Sequence, residues 1–328
     1  MKLFTFTIAA LFLIASPVLC AAKPLAATKP NVLFISIDDL NNDLGCYGNP
    51  QVRSPNIDRL AARGVRFERA YVQYTLCNPS RASFLSGRRP ERTGIYELIT
   101  PPRKAMPDAV FLPQLFRQNG YFTARYGKVY HEGRDDKLSW DITENIEFID
   151  AQERAMHQRR YDNPPGQRTP DWTPLDTPEE QTRDARIAQA IGQLMEEKAK
   201  AGKPFFLAAG LNKPHLPWNV PKQYFSLYRA ADIRFQPDLP MHDIPSVALM
   251  TELFGSPQPS SRAAAIAAYY SAITYMDTQV GVLLNKLDEL KLWDNTIVVL
   301  FSDHGFHLGD HGGLWVSSRY LSNRRVRR

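Results

Sequence analysis

Hydrophobic and polar positions along the chain fall into blocks of two periods. Asn31 to Ile37 (NVLFISI) is a nearly continuous apolar, β-branched run, the pattern of a strand buried on both faces of a parallel sheet. Asn56 to Arg63 has helical spacing after a Ser-Pro start and stops at Gly64. Phe111 to Gln118 repeats that logic before Asn119-Gly120, and Tyr121 to Tyr126 then reads as a strand closed by Gly127. Thr182 to Lys200 is an amphipathic helix, and Pro204 leads into an apolar strand, Phe205 to Ala209. Arg262 to Leu290 is a long helical stretch with Gly281 inside it, and Thr296 to Phe301 (TIVVLF) is the last clear strand. Residues 131–181 are polar, aromatic and Pro-containing without sustained periodicity, so they read as long loops over the sheet edge. Strands alternating with helices predict an α/β fold with a mainly parallel central sheet flanked by helices.

Composition narrows this picture little: 328 residues, 44% hydrophobic and 23% charged, suit one large α/β domain, alone or with a small appendage. The first residues differ in kind. Lys2 gives a positive start, Leu3 to Leu19 form an apolar run, and Ala21 and Ala22 offer a cleavage site, so 1–22 reads as a signal peptide and the mature chain begins near Lys23. The expected location is periplasmic or secreted. Cys20 raises a lipid anchor as the alternative, against which Leu19 is large where a small residue is usual. No later segment has the length of about 20 apolar residues that a membrane span needs. Net charge is +6, but Arg319 to Arg328 carry five arginines and no acids, so the basic tail, 317–328, leaves the rest near neutral. Such a tail can bind polyanions, while nothing else follows a nucleic-acid module. Beyond the leader stand Cys46 and Cys77, and in an oxidising compartment a disulfide between them is the structural alternative to chemistry.

Chemistry gathers at strand ends. The first strand ends in Asp38-Asp39 and the last in Asp303-His304. Open α/β sheets bind ligands at the carboxyl ends of their strands. Two acidic pairs carried there by two buried strands repel unless a positive charge lies between them. A divalent cation answers this, and oxygen ligands favour calcium or magnesium, though histidine is unusual for calcium. Loop or N-cap roles for these aspartates stay open at this point.

Thr75 to Gly87 reads TLCNPSRASFLSG, and its kernel, Cys77-x-Pro79-Ser80-Arg81 followed by Leu85-Ser86-Gly87, resembles the sulfatase signature. Three further segments resemble the same family: Gly120-Tyr121-x-Thr123 leading to Gly127-Lys128-Val129-Tyr130-His131, Lys213-Pro214-His215, and Asp303-His304-Gly305. Tyr126 is bulkier than is usual at its position. The last Asp-His, with the GKVYH and KPH segments, is most similar to the iduronate-2-sulfatase branch, and the resemblance runs from about Pro30 to Gly312.

That resemblance implies an alkaline-phosphatase/sulfatase-like fold and a set of roles. The motif cysteine is oxidised during export to formylglycine, whose hydrate has one hydroxyl to attack sulfur and a second to expel sulfate as the carbonyl re-forms. Asp38, Asp39, Asp303 and His304, with the modified Cys77, are implied ligands of one divalent ion, calcium, which lowers the nucleophile's pKa. Arg81 is implied to hold the diol, Lys128 and His215 to contact sulfate oxygens, and His131 to act as base, with one of the two histidines protonating the leaving alcohol. Pro79 and Arg81 also serve recognition by a maturation enzyme, either a formylglycine-generating or an anaerobic sulfatase-maturing one.

The pattern departs after Gly312. His311-Gly312-Gly313-Leu314-Trp315-Val316-Ser317 has an extra residue and lacks the lysine found there in relatives. The sequence therefore predicts an incomplete catalytic domain over 23–316, missing the smaller C-terminal subdomain through a frame change or gene fragmentation. The functional expectation is hydrolysis of a sulfate ester on a sulfated sugar or polysaccharide. The alternatives are a phosphonate or phosphodiester hydrolase of the same superfamily and an inactive polyanion-binding remnant.

Overall fold

The computed structural model describes residues 29–146, 172–235 and 259–308. The predicted leader, the basic tail and the departure after Gly312 lie outside the described residues. Among the described residues, five parallel strands form the central sheet: β1 (Asn31–Ile37), β2 (Phe122–Gly127), β3 (Ile142–Glu144), β4 (Phe205–Leu211) and β5 (Thr296–Ser302). They lie in the order β3-β2-β4-β1-β5. The main helices are α1 (Pro55–Arg63), α2 (Cys77–Ser86), α3 (Leu112–Gln118), α4 (Arg183–Lys200) and α5 (Pro259–Glu289).

Strand periodicity sorts the helices onto two faces. Leu33, Ile35 and Ile37 of β1 pack in one core with α4 and α5, including Ile187, Ile191, Ile273 and Leu284. Val32 and Phe34 pack in a second core with Ala82 and Leu85 of α2 and with Phe111. β1 and β4 are buried at every position, which explains their unbroken apolar runs.

The predicted α/β architecture holds, with local differences. β3 falls inside the stretch read as loop and pairs with β2 through Ala124–Ile142 and Arg125–Thr143. Three residues are too few for a periodic signal. α2 has no predicted counterpart, because eight of its ten residues are buried and no polar face marks it as a helix. The apolar run of β5 reads as a buried strand, yet among the described residues it pairs only with β1, and Ile297 and Val299 are 50% and 37% exposed.

Candidate active site

Register delivers the strand-end residues to one edge. Ile37 is level with Leu211 and with Ser302, so Asp38, Asn212 and Asp303 leave the sheet side by side. Backbone bonds continue the ladder one step further: Asp38 N–H donates to Leu211 O over 3.2 Å and Asp303 N–H to Ile37 O over 3.1 Å. β2 joins through Lys128 N–H, which donates to Gly210 O over 2.8 Å. Gly127 (φ 76°) and Gly210 permit that approach, since a Cβ on either would collide with the other's strand.

α2 starts at this edge, placing Cys77 at its first helical position. Cys77 Sγ lies 3.1 Å from His304 Nε2, 3.6 Å from Asp38 Oδ1 and 3.9 Å from Lys128 Nζ. Cys46 and Cys77 are both free thiols, so the disulfide alternative falls. Burial pushes the Cys77 thiol pKa up, and Asp38 adds to this while Lys128 opposes it.

The positive charge expected between the acidic pairs is present as side chains. Arg81, fully buried, donates from Nε to Asp303 Oδ2 over 2.9 Å and from Nη2 to Asp38 Oδ1 over 3.2 Å. Its Nη1 donates to the carbonyls of Lys128 and Val129. Lys128 Nζ pairs with Asp38 Oδ2. Burial disfavours the Asp38 carboxylate, but Lys128, His215, Arg81 and His304 outweigh it and hold its pKa well below the usual range.

Asp39 turns the chain out of β1 in a left-handed conformation, φ 64°. Such a residue needs its surroundings to hold it. Tyr269 of α5 does so, donating from its hydroxyl to Asp39 O over 2.7 Å and accepting from Asn41 N–H over 2.8 Å. Ser80 Oγ likewise donates to Asp303 O over 2.5 Å. Neither role showed in the sequence, where Tyr269 reads as one more core residue of a long helix.

The two candidate histidines come to the same edge differently. His215 Nε2 lies 3.7 Å from Asp39 Oδ2, and its Nδ1 is 2.6 Å from Leu216 O. His131 Nδ1 is buried with no hydrogen-bond partner. Burial, reinforced by the charge of Lys128, lowers the His131 pKa to about 4.

Asp38, Cys77, Asp303 and His304 each present a ligand atom, all within 4.8 Å of one another and all buried. Asp39 Oδ1 is buried beside them. His304 Nδ1 lies 2.7 Å from it. Converging carboxylate oxygens with one imidazole fit a hard divalent cation.

The sulfatase family model matches residues 30–324. The chain belongs to the sulfatase family. It is 36% identical to human iduronate 2-sulfatase over 309 residues, covering 86% of this chain and 56% of that protein. A sulfatase of Formosa agariphila is 35% identical over 322 residues, covering 88% of this chain and 62% of that one. The chain thus spans little more than half the length of these sulfatases. Among solved structures, a phosphonate monoester hydrolase from Silicibacter pomeroyi superposes with TM-score 0.70 at 22% identity, covering 89% of this chain and 67% of that one. A 2-O GAG sulfatase superposes with TM-score 0.61, also at 22% identity, covering 89% and 61%. At that identity the likeness is one of fold, and it agrees with the parallel sheet and flanking helices.

Proposed function

We propose that this sulfatase hydrolyses a sulfate ester on a sulfated sugar or polysaccharide, with formylglycine made from Cys77 as nucleophile and a calcium ion held by Asp38, Asp39, Asp303, His304 and residue 77. The observation that carries this reading is the placement of Cys77 at the start of α2, within 4.8 Å of Asp38, Asp303 and His304 ligand atoms. A buried thiol with a raised pKa is a poor thiolate nucleophile. Formylglycine supplies a hydrated aldehyde, and the cation supplies charge that lowers a hydroxyl pKa and offsets sulfate oxygens.

The chain's own residues do the rest. Lys128, cationic beside Asp38, faces the residue-77 group and offers its ammonium to a sulfate oxygen. Arg81 locks Asp38 and Asp303 in place, a positioning task. His131, neutral at physiological pH, accepts a proton, and His215 is left to stabilise the sulfate and protonate the leaving alcohol. The sugar-type substrate is supported by human iduronate 2-sulfatase and by an ulvan-active sulfatase of Formosa agariphila, 27% identical over 295 residues. The leader pattern at 1–22 supports export ahead of a catalytic domain over 23–316 and the tail over 317–328. No described helix is long and apolar enough to cross a membrane.

Turnover of an aryl sulfate, an aryl phosphate diester and an aryl phosphonate monoester by the exported protein tests the reading, with Cys77→Ala as control. Sulfate turnover abolished in Cys77→Ala, with peptide mass spectrometry showing formylglycine at residue 77, is expected. Faster turnover of either phosphorus ester, or an unmodified Cys77 in an active preparation, overturns it.

A further inference from the structure

Arg183 and Asp184 are consecutive in the first turn of α4, and both are buried. Between them, their side chains reach two loops of the site edge. Asp184 accepts from Asn212 N–H at 2.9 Å (Oδ1) and 3.1 Å (Oδ2), and its Oδ2 accepts from Lys213 N–H at 2.8 Å. These are the first residues after β4, and Asn212 O in turn accepts from His215 N–H over 2.9 Å. Arg183 Nη1 pairs with Glu132 Oε1 over 2.8 Å and lies 3.5 Å from Asn212 Oδ1. Glu132 follows His131, and the turn there is closed by Arg134 N–H donating to His131 O over 2.9 Å.

We infer that Arg183 and Asp184 form a two-armed clamp that sets the spacing of the His131 and His215 segments, making both positioning residues for the chemistry. α4 is anchored along the sheet by Ile187, Ile191 and Met195, so its first turn is a fixed post against which both loops are tied. Bonds to a carboxylate are stronger than neutral ones, and Asp184 gathers backbone N–H groups that the end of β4 leaves without strand partners. A displacement of about 1 Å at a reacting group can cost on the order of 10²-fold in rate. The role of the two histidines rests on the proposed sulfatase function, whereas the clamp rests on geometry alone.

Amide hydrogen exchange on the full chain, read with steady-state kinetics on an aryl sulfate, separates the two. In Asp184→Ala the Asn212 and Lys213 amides should exchange at least about tenfold faster while β1 amides keep their protection. In Arg183→Ala the Arg134 amide should speed up in the same way. kcat should fall about 10- to 100-fold with KM changed less, and Arg183→Lys, which restores the charge facing Glu132, should recover most of the loss. Where Asp184→Ala fails to fold, Asp184→Asn keeps the shape and one acceptor oxygen and decides the same amides. Unchanged exchange at Asn212, Lys213 and Arg134, or a rise equal to that in β1, overturns the clamp. If the unsubstituted chain hydrolyses no sulfate ester, the functional reading falls and the exchange pattern still decides this one.

Discussion

Arg81 Nε donates to Asp303 Oδ2 over 2.9 Å with both side chains fully buried, joining the helix that begins at Cys77 to the end of β5. The same guanidinium reaches Asp38 Oδ1 at 3.2 Å, so one side chain ties three elements together. Removing one member of such a buried pair leaves carboxylates without their counter-charge, at a cost of about 3–5 kcal/mol. Arg81→Ala should therefore lower the urea midpoint with an unchanged slope, and Arg81→Lys should recover only part, because an ammonium cannot reproduce the fork. An Arg81→Ala protein as stable as the unsubstituted one would mean that the pair contributes little to the fold.

His131 gives the pH dependence. Burial and Lys128 lower its pKa from 6.5 to about 4 in the folded chain. The unfolded chain thus binds more protons than the folded one between those values, and stability must fall as pH drops through that window. Above pH 6.5 both states hold a neutral ring and the dependence ends. In His131→Asn, the decline in thermal midpoint between pH 6.5 and 4 should flatten. If His131 is the base, activity in the unsubstituted chain should also hold down to about pH 5 and fail near 4. A midpoint profile that does not change on substitution would remove His131 as the titrating group.

Much of this site is legible in the sequence, and the reason is local. The runs at Asn31–Ile37 and Phe205–Ala209 are unbroken because both faces of their strands are covered, and Asp38-Asp39 and Asp303-His304 directly follow β1 and β5. Cys77, Arg81 and Lys128 stood in short motifs whose spacing carries the family. What the sequence hid is set by contacts across the chain. Tyr269 holds Asp39 from 230 positions away, and Asp184 holds Asn212 from a helix that reads only as amphipathic. α2 was hidden for the opposite reason: buried nearly all round, it has no polar stripe to betray its period.

Metal addition and removal should act through stability as well as turnover. A ligand that binds only the folded chain at 100 times its dissociation constant adds about 2.7 kcal/mol. Calcium should raise the thermal midpoint of the full chain and a chelator should reverse it. Asp39→Asn and Asp303→Asn should each abolish most of the rise. Asp303 and Asp39 hold His304 protonated against the penalty of burial, so the ion must displace that proton and its affinity should weaken as pH falls. A calcium-independent midpoint in the unsubstituted chain, or a rise that survives Asp303→Asn, would remove these residues as its ligands.

Gly210 tests whether strand spacing sets the site. Its own φ is ordinary, so conformational freedom is not what requires glycine here. A Cβ at this position would collide with the backbone N, C and O of Lys128, which cannot move aside as a flexible side chain would. The hydrogen bond from Lys128 N–H to Gly210 O, 2.8 Å long, fixes the two strands at this separation. Gly210→Ala must therefore push β2 away from β4 at the point where Lys128 turns toward Asp38. Overpacking of this kind costs about 1–3 kcal/mol. The displaced ammonium should weaken its contact with the residue-77 group and lower kcat at least about tenfold, as loss of a transition-state donor does. Gly87→Ala is the matched control, since its φ of 67° is strained for alanine but nothing lies within 4 Å of the new methyl. It should lose stability without a comparable fall in kcat. Equal losses of stability and rate in the two variants would mean that strain in general, and not the β2–β4 approach, limits the site.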